Sequence, residues 1–203
     1  MIPPSLPLGV LLAGGLARRM GGGDKPLLRL GGRSLLAHAA AALAPQCVAL
    51  VLNANGDPAR FGAFGLPVIA DPLPGYPGPL AGILAGMRWA AAHHPEAADI
   101  LTVAADTPFL PADLGARLAA ARGAAPIVCA RSAGRAHPTI ALWPVALADR
   151  LQAALLAGER GVLAWATGQG LALVDFPATP HDPFCNINTP EDLAAAEARL
   201  HGG

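Results

Sequence analysis

Short apolar runs, closed by glycine, proline or polar clusters, alternate with alanine- and leucine-rich segments of helical length along most of the chain. The first run, Leu8–Leu12, has no polar side chain and stops just before Ala13 and a glycine pair, the pattern of a buried strand. Residues 26–30 continue extended, and Gly31-Gly32 forms a turn. Ser34 then N-caps a helix over Leu35–Leu43 that ends near Pro45. A second strand over 48–52 runs into Asn53-Ala54-Asn55-Gly56, and Asp57-Pro58 starts a helical turn over 59–64. A third strand, 66–70, ends in Asp71. A proline- and glycine-rich loop over 72–79 leads to a helix over 80–92, and the apolar strand 99–105 delivers Asp106. The second half reads as a helix over 112–122, a strand over 126–130, a polar turn over 131–137 and a strand over 139–143. A helix over 145–156, a short helix over 161–167 and the strand Leu171–Phe176 follow. The last helix takes Thr189 as cap and Pro190 as first residue, carries Glu191 and Asp192 against its dipole, and runs to about residue 201.

Alternation of strand and helix through the first half predicts a three-layer, Rossmann-like α/β fold, with a mainly parallel central sheet flanked by helices. The 203 residues suit a single domain, without linker or internal repeat. At 53% hydrophobic and 14% charged residues, disorder is not expected away from the ends. No apolar segment reaches the ~18 residues of a membrane span, and the N-terminus lacks the basic region of a signal peptide. A formal net charge of zero argues against a broad nucleic-acid footprint. Cys47, Cys129 and Cys185 are odd in number and lack C-x-x-C spacing, so neither a disulfide framework nor a zinc site is expected. A reducing, cytoplasmic setting fits them.

The densest candidate chemistry follows the first strand. Between Gly14 and Lys25 lie five glycines and the basic side chains Arg18, Arg19 and Lys25. Glycines let successive N–H groups converge as an anion nest and let a ligand approach closely. A nucleoside triphosphate is the guest this suggests. A P-loop is excluded because Asp24 precedes Lys25 and Pro26 follows it, and no G-x-G-x-x-G opens a helix here.

Asp106 ends a strand too apolar to hold a charge without a partner, and a magnesium ion prefers one or two carboxylates plus phosphate oxygens. Bracing the Thr107-Pro108 turn is its structural alternative. Asn53 and Asp71 close neighbouring strands, where ligands bind in open α/β sheets, and an amide with a carboxylate could read a guanine edge or a ribose. On sequence alone a turn role suits Asn53 better, and it fits Asp71 equally. Asn186 and Asn188 alternate and so face one side in extended backbone; they could bind a second substrate or complete a metal shell, and backbone bonding before the Thr189 cap is their structural alternative. Gly82 and Gly86 suit close helix–sheet packing at least as well as ligand approach. Arg135, His137 and Arg160 taken singly are ordinary surface groups, His93 and His94 likewise, and Trp89, Trp143 and Trp165 read as core.

The series Leu12-Ala13-Gly14-Gly15, Arg19-Met20-Gly21 and Asp24-Lys25 resembles the opening signature of sugar-nucleotide-type nucleotidyltransferases, and more narrowly of the molybdenum cofactor guanylyltransferases. The resemblance continues through Asn53-Ala54-Asn55, residues 76–82, Asp106-Thr107-Pro108, residues 135–142, residues 157–160 and Asn186 to Leu193, almost end to end. It implies transfer of GMP from GTP to the phosphate of molybdenum-molybdopterin, with release of pyrophosphate. Lys25, Arg19 and Asp106 would be catalytic, and Asp106 would hold Mg2+. Leu12, Ala13, Gly14, Gly15, Gly22, Lys25, Asn53, Asp71, Gly78, Gly82 and Asp106 would line the GTP side, within about the first 110 residues. Asn186, Asn188 and Arg160 would serve molybdopterin in the C-terminal part. The resemblance also implies a cytoplasmic monomer that meets molybdenum-insertion proteins and apo-molybdoenzyme chaperones transiently. Ala105 stands where the family often has Gly or Cys, and Leu-Ala-Gly-Gly favours guanine over the Leu-Ala-Ala-Gly of cytidylyltransferases. The alternatives are a transferase using CTP or another acceptor, and a nucleotide-binding regulatory module without turnover.

Overall fold

The structure, a computed structural model, describes residues 5–14, 24–73, 75 and 78–201. Among these residues a seven-stranded sheet has the order β5-β4-β1-β6-β8-β7-β9. Its strands are β1 (Leu8–Leu12), β4 (Leu50–Asn53), β5 (Val68–Ile69), β6 (Asp99–Ala104), β7 (Ile127–Ser132), β8 (Arg135–Pro144) and β9 (Leu171–Phe176). Only β8 runs against the others. A separate hairpin joins β2 (Arg29–Leu30) to β3 (Arg33–Ser34), turning through Gly31 and Gly32 at φ of 55° and 78°. Both residues of such a two-residue turn need the left-handed region, which glycine enters without steric cost.

The period of two along each strand divides the core between the two faces of the sheet. Leu11, Leu101 and Val103 face one layer, where helix α1 (Leu35–Leu43) brings Leu36, Ala39 and Leu43 and helix α3 (Leu114–Ala120) brings Leu114 and Leu118. Leu8, Val10 and Ile100 face the other. That layer is built by α2 (Pro79–His93), α4 (Ala148–Leu156) and α5 (Val162–Gln169), with Ile83, Leu151 and Trp165 among the buried residues. Helix α6 (Pro190–His201) covers a smaller cluster of Leu30, Leu35, Ile187 and Ala196. The three-layer α/β fold is the one expected.

Two glycines of α2 set how closely that helix approaches the sheet. A Cβ on Gly86 would lie 2.6 Å from Val10 Cγ2, and one on Gly82 would lie 2.2 Å from Asn53 Oδ1 and 2.9 Å from Leu12 Cδ2. Close packing is therefore what both positions demand.

The caps behave as expected. Ser34 Oγ accepts from Ala37 N at 3.1 Å. Thr189 and Asp192 cap one another reciprocally across the start of α6. Several boundaries differ. Residues 131–137 are not a polar turn: β7 continues to Ser132, β8 begins at Arg135, and only Ala133 and Gly134 turn, with φ of 47° and 75°. The polar side chains hid the strands because Ser132 and His137 are bonded to each other across the hairpin. Pro26 and Leu27 form a 3-10 turn instead of extended chain, because the backbone N–H groups of Leu27 and Leu28 return to Asp24 and Lys25. The strands expected over 48–52 and 66–70 contract to Leu50–Asn53 and the edge pair Val68–Ile69. Cys47 and Cys129 are buried thiols whose pKa burial pushes up to about 12, which makes them inert packing residues. Trp143 and Trp165 are core, and Trp89 is only partly buried.

Candidate active site

Three parallel strands end level with one another: Leu12 pairs in register with Asn53 on one side and with Ala104 on the other. The chain leads from β1 to β4 in one direction, and β6 lies on β1's opposite side. This reversal of strand order opens a crevice at the carboxyl ends, the place where open α/β sheets bind ligands. A cleft of about 380 Å³ occupies it, lined by Leu12, Gly14 and Ala104 on its floor and by Asn53, Asn55 and Asp71 along one wall. Asp106, Thr139 and Asn186 line it too, and Gly78 and Pro79 bring the N-terminal end of α2 to its rim. A fifteen-residue helix directed this way adds partial positive charge.

At the β6 side, Lys25 is buried, and its ammonium donates to Asp106 Oδ2 and to Asn188 Oδ1, the latter at 2.5 Å. The loop before α6 is stitched to the same place. Ile187 N donates to Asp106 O at 3.2 Å, and the fully buried Thr107 hydroxyl donates to Asn186 Oδ1 at 3.1 Å. Residues far apart in sequence thus converge: Lys25, Asp106, Asn186 and Asn188. The second carboxylate oxygen, Asp106 Oδ1, is buried and has no hydrogen-bond partner among the described residues. A buried anionic oxygen left bare is costly, and a divalent cation would satisfy it. The described residues contain no cluster of three or more His, Cys, Asp or Glu able to hold a metal. A single carboxylate fits magnesium, which keeps waters and takes substrate phosphate oxygens as its other ligands.

At the β4 side, Asp71 is held by two amides. Asn53 Nδ2 donates to its Oδ1 at 3.0 Å and Asn55 Nδ2 to its Oδ2 at 2.7 Å, while Asn55 Oδ1 accepts from Asp71 N at 2.9 Å. Asn53 Nδ2 also donates to Ile69 O at 3.2 Å. Each Asp71 oxygen keeps a second lone pair for a ligand donor.

Of the expected site residues, Leu12, Gly14, Asn53, Asp71, Gly78, Asp106 and Asn186 line the cleft, and Lys25 and Asn188 bond to its wall. Ala13 is buried just beneath the cleft floor, its N–H donating to Asn53 O. Gly82 makes room for the Asn53 side chain from behind rather than lining the cleft. Arg160 stands before α5, its guanidinium donating to Leu155 O and Glu159 O, and is not among the described lining residues. Arg19, Gly15 and Gly22 lie outside the described residues.

Sequence reasoning missed Asn55, Thr107, Thr139 and a buried polar group behind the 180–188 loop. There Ser132 Oγ donates to Asp182 Oδ1 at 2.8 Å and contacts His137 Nε2 at 2.7 Å. A hydroxyl has one proton, so His137 Nε2–H is the donor to Ser132. Asp182 Oδ1 also accepts from Phe184 N, which fixes the loop that carries Asn186 and Asn188. Burial lowers the His137 pKa below its ordinary 6.5, with nearby Asp182 opposing and Arg135 assisting. The serine sits between histidine and aspartate, so this is an anchor and not a nucleophile–base–acid series. The alternation argument used for Asn186 and Asn188 would have found Asn55 beside Asn53.

Comparison with known proteins agrees with this fold. Residues 9–171 match the model of the MobA-like NTP transferase domain. A molybdenum cofactor guanylyltransferase of Rhodopseudomonas palustris (strain BisB5) is 60% identical over 93% of this chain and 91% of its own. One of Bradyrhizobium sp. (strain ORS 278) is 57% identical over 93% and 91%. Among solved structures, molybdopterin-guanine dinucleotide biosynthesis protein A from Archaeoglobus fulgidus superposes with a TM-score of 0.73 at 25% identity, covering 97% of this chain and all (100%) of that one. The 4-diphosphocytidyl-2C-methyl-D-erythritol synthase of Anaerococcus prevotii shares the fold, with a TM-score of 0.75 at 13% identity over 98% of this chain and 97% of that one. The chain belongs to the MobA-like NTP transferase family and, within it, to the molybdenum cofactor guanylyltransferases.

Proposed function

We propose that the protein transfers GMP from GTP to the phosphate of molybdenum-molybdopterin, forming the guanine dinucleotide cofactor and releasing pyrophosphate. The observation that carries this reading is the bare Asp106 Oδ1 beside the Lys25 ammonium, in a cleft whose opposite wall is the amide-held carboxylate of Asp71. One end is built for phosphates and a cation, and the other for a base.

The base end favours guanine. Guanine presents N1–H and its amino group side by side, and the two Asp71 oxygens each retain a lone pair to accept them. Cytosine and adenine would set a ring-nitrogen acceptor against the carboxylate. Asn53 and Asn55 hold that carboxylate in place by donating to it. At the phosphate end, Lys25 uses two of its three N–H donors, on Asp106 and Asn188, and keeps one for a phosphate oxygen. The backbone of Leu12 to Gly14, with Gly15, Gly22 and Arg19, would cradle the rest of the triphosphate. A magnesium ion held by Asp106 would supply charge neutralisation between the two polyanions.

The acceptor is a phosphate monoester, whose second pKa lies near 6. One of its oxygens is already anionic at neutral pH, so no general base is required. That oxygen forms the new bond to the α-phosphorus of GTP. The bond from that phosphorus to the bridging oxygen of the β-phosphate breaks, and its electron pair leaves with pyrophosphate. The protein's share is placement and charge. Asn186, Asn188 and Arg160 serve the molybdopterin side. The chain works as one nucleotidyltransferase unit, with GTP bound by about the first 110 residues and molybdopterin by the remainder. A cytoplasmic monomer with transient handover to molybdenum-insertion proteins and apo-molybdoenzyme chaperones completes the reading.

The test offers molybdopterin and magnesium with each of the four labelled triphosphates. GMP incorporation with stoichiometric pyrophosphate is expected; dominant CMP incorporation would replace the reading with a cytidylyltransferase. GTP binding without turnover would leave a regulatory module.

A further inference from the structure

Arg60 belongs to neither wall of the cleft, yet it is bonded to segments that lead to both. Its Nη1 pairs with Asp24 Oδ1 at 2.5 Å, its Nη2 donates to Asn55 O at 2.5 Å, and its Nε donates to Asp57 O at 3.0 Å. The guanidinium also lies 4.9 Å from the Phe61 ring centroid, and Phe61 is core. Three directed bonds and a ring contact fix a planar group far more tightly than a lone surface ion pair, which is worth little by itself.

A continuous polar chain results. Asp71 is clasped by Asn55, whose carbonyl is held by Arg60. Arg60 holds Asp24, which is covalently next to Lys25, and Lys25 is bonded to Asp106. We infer that Arg60 is a positioning residue coupling the base-reading wall to the phosphate-binding lysine, so that a base seated on Asp71 strengthens phosphate binding at Lys25. This inference rests on the proposed placement of GTP. It gives the enzyme a way to discriminate nucleotides by reaction as well as by binding. A wrong base that fails to settle on Asp71 adds nothing to the existing hold on Asn55, Arg60 and Asp24, and so nothing to phosphate binding at Lys25.

The test splits GTP into two probes, guanosine and magnesium tripolyphosphate, and measures by calorimetry how far saturating guanosine tightens tripolyphosphate. In the unaltered protein a tightening of about 5- to 150-fold is expected, the usual range of coupling between sites. In Arg60→Ala the factor falls to about one. Asp24→Asn, which cuts one arm and leaves the Asn55 arm in place, gives the same loss. Arg60→Lys does not rescue, because an ammonium on a flexible stem cannot hold both ends at fixed angles. Thermal melting run alongside separates lost coupling from lost folding: a lowered midpoint with the coupling factor intact would overturn the inference. Full coupling in Arg60→Ala, full rescue by lysine, or no coupling in the unaltered protein would overturn it as well. Failure of guanosine and tripolyphosphate to displace GTP from the unaltered protein would instead contradict the placement of GTP, and the inference would fall with it.

Discussion

The Lys25 ammonium neutralises one oxygen of Asp106 and leaves the other, Oδ1, buried and bare. An asparagine at 106 could not keep both arrangements. Being neutral it loses the ion pair in either orientation, and its amide N–H2 faces either the ammonium or the position of the bare oxygen. Asp106→Asn should therefore lower the rate of pyrophosphate release by about 100- to 1000-fold, the scale of removing one transition-state charge partner. GTP binding should persist. Steady-state transfer with a parallel GTP binding isotherm checks this; an unchanged rate would remove Asp106 from the reaction.

Asp71 is the base reader in this account, and Asn55 its holder. Asp71→Asn replaces one of two acceptors by a donor facing the guanine N–H groups. The KM for GTP should rise by at least about tenfold, on the scale of one charged hydrogen bond lost, and the preference of GTP over ATP and CTP should shrink. Asn55→Ala should shift selectivity in the same direction by a smaller factor. Competition assays with mixed triphosphates give both numbers directly.

Gly82 has no room for a methyl group, since its Cβ would meet Asn53 Oδ1 at 2.2 Å. Gly82→Ala must push α2 from the sheet or Asn53 from Asp71. Overpacking of this kind costs about 1–3 kcal/mol, and urea unfolding should show it. A raised KM for GTP should accompany the loss, because the displaced side chain is a wall of the cleft.

His137 gives a pH signature. Burial holds its folded pKa below the ordinary 6.5, so as pH falls through 6.5 the unfolded chain takes up a proton before the folded one does. Stability contributed by the neutral, Ser132-bonded ring is present above pH 6.5 and declines as pH falls toward the folded pKa. His137→Gln should flatten the dependence of unfolding free energy between pH 7.5 and 5.5, measured by denaturant titration. An equally steep slope in the variant would assign the titration elsewhere.

Much of this was legible in the sequence because the physics is local. Leu8–Leu12 is a strand because nothing in it is polar, and α6 starts at Pro190 because Thr189 and Asp192 can cap only there. Asp106 announced itself as a charge at the end of an apolar strand. What stayed hidden depends on contacts between residues distant in sequence. Arg60 has no local signature; its role exists only because the fold sets Asp24 and Asn55 within its reach. The stretch 131–137 looked like a turn because the burial of Ser132 is made tolerable by His137 and Asp182, the latter 50 residues later. Gly82 was ambiguous until Asn53 was seen against it.

The central claim is that GTP lies across the carboxyl ends of β1, β4 and β6, with its base on Asp71 and its phosphates between Lys25 and Asp106. A crystal structure with GTP and manganese in place of magnesium tests it most directly. The account predicts an anomalous manganese peak beside Asp106 Oδ1 and the guanine edge against the Asp71 carboxylate. A nucleotide bound elsewhere, or a manganese peak away from Asp106, would contradict it.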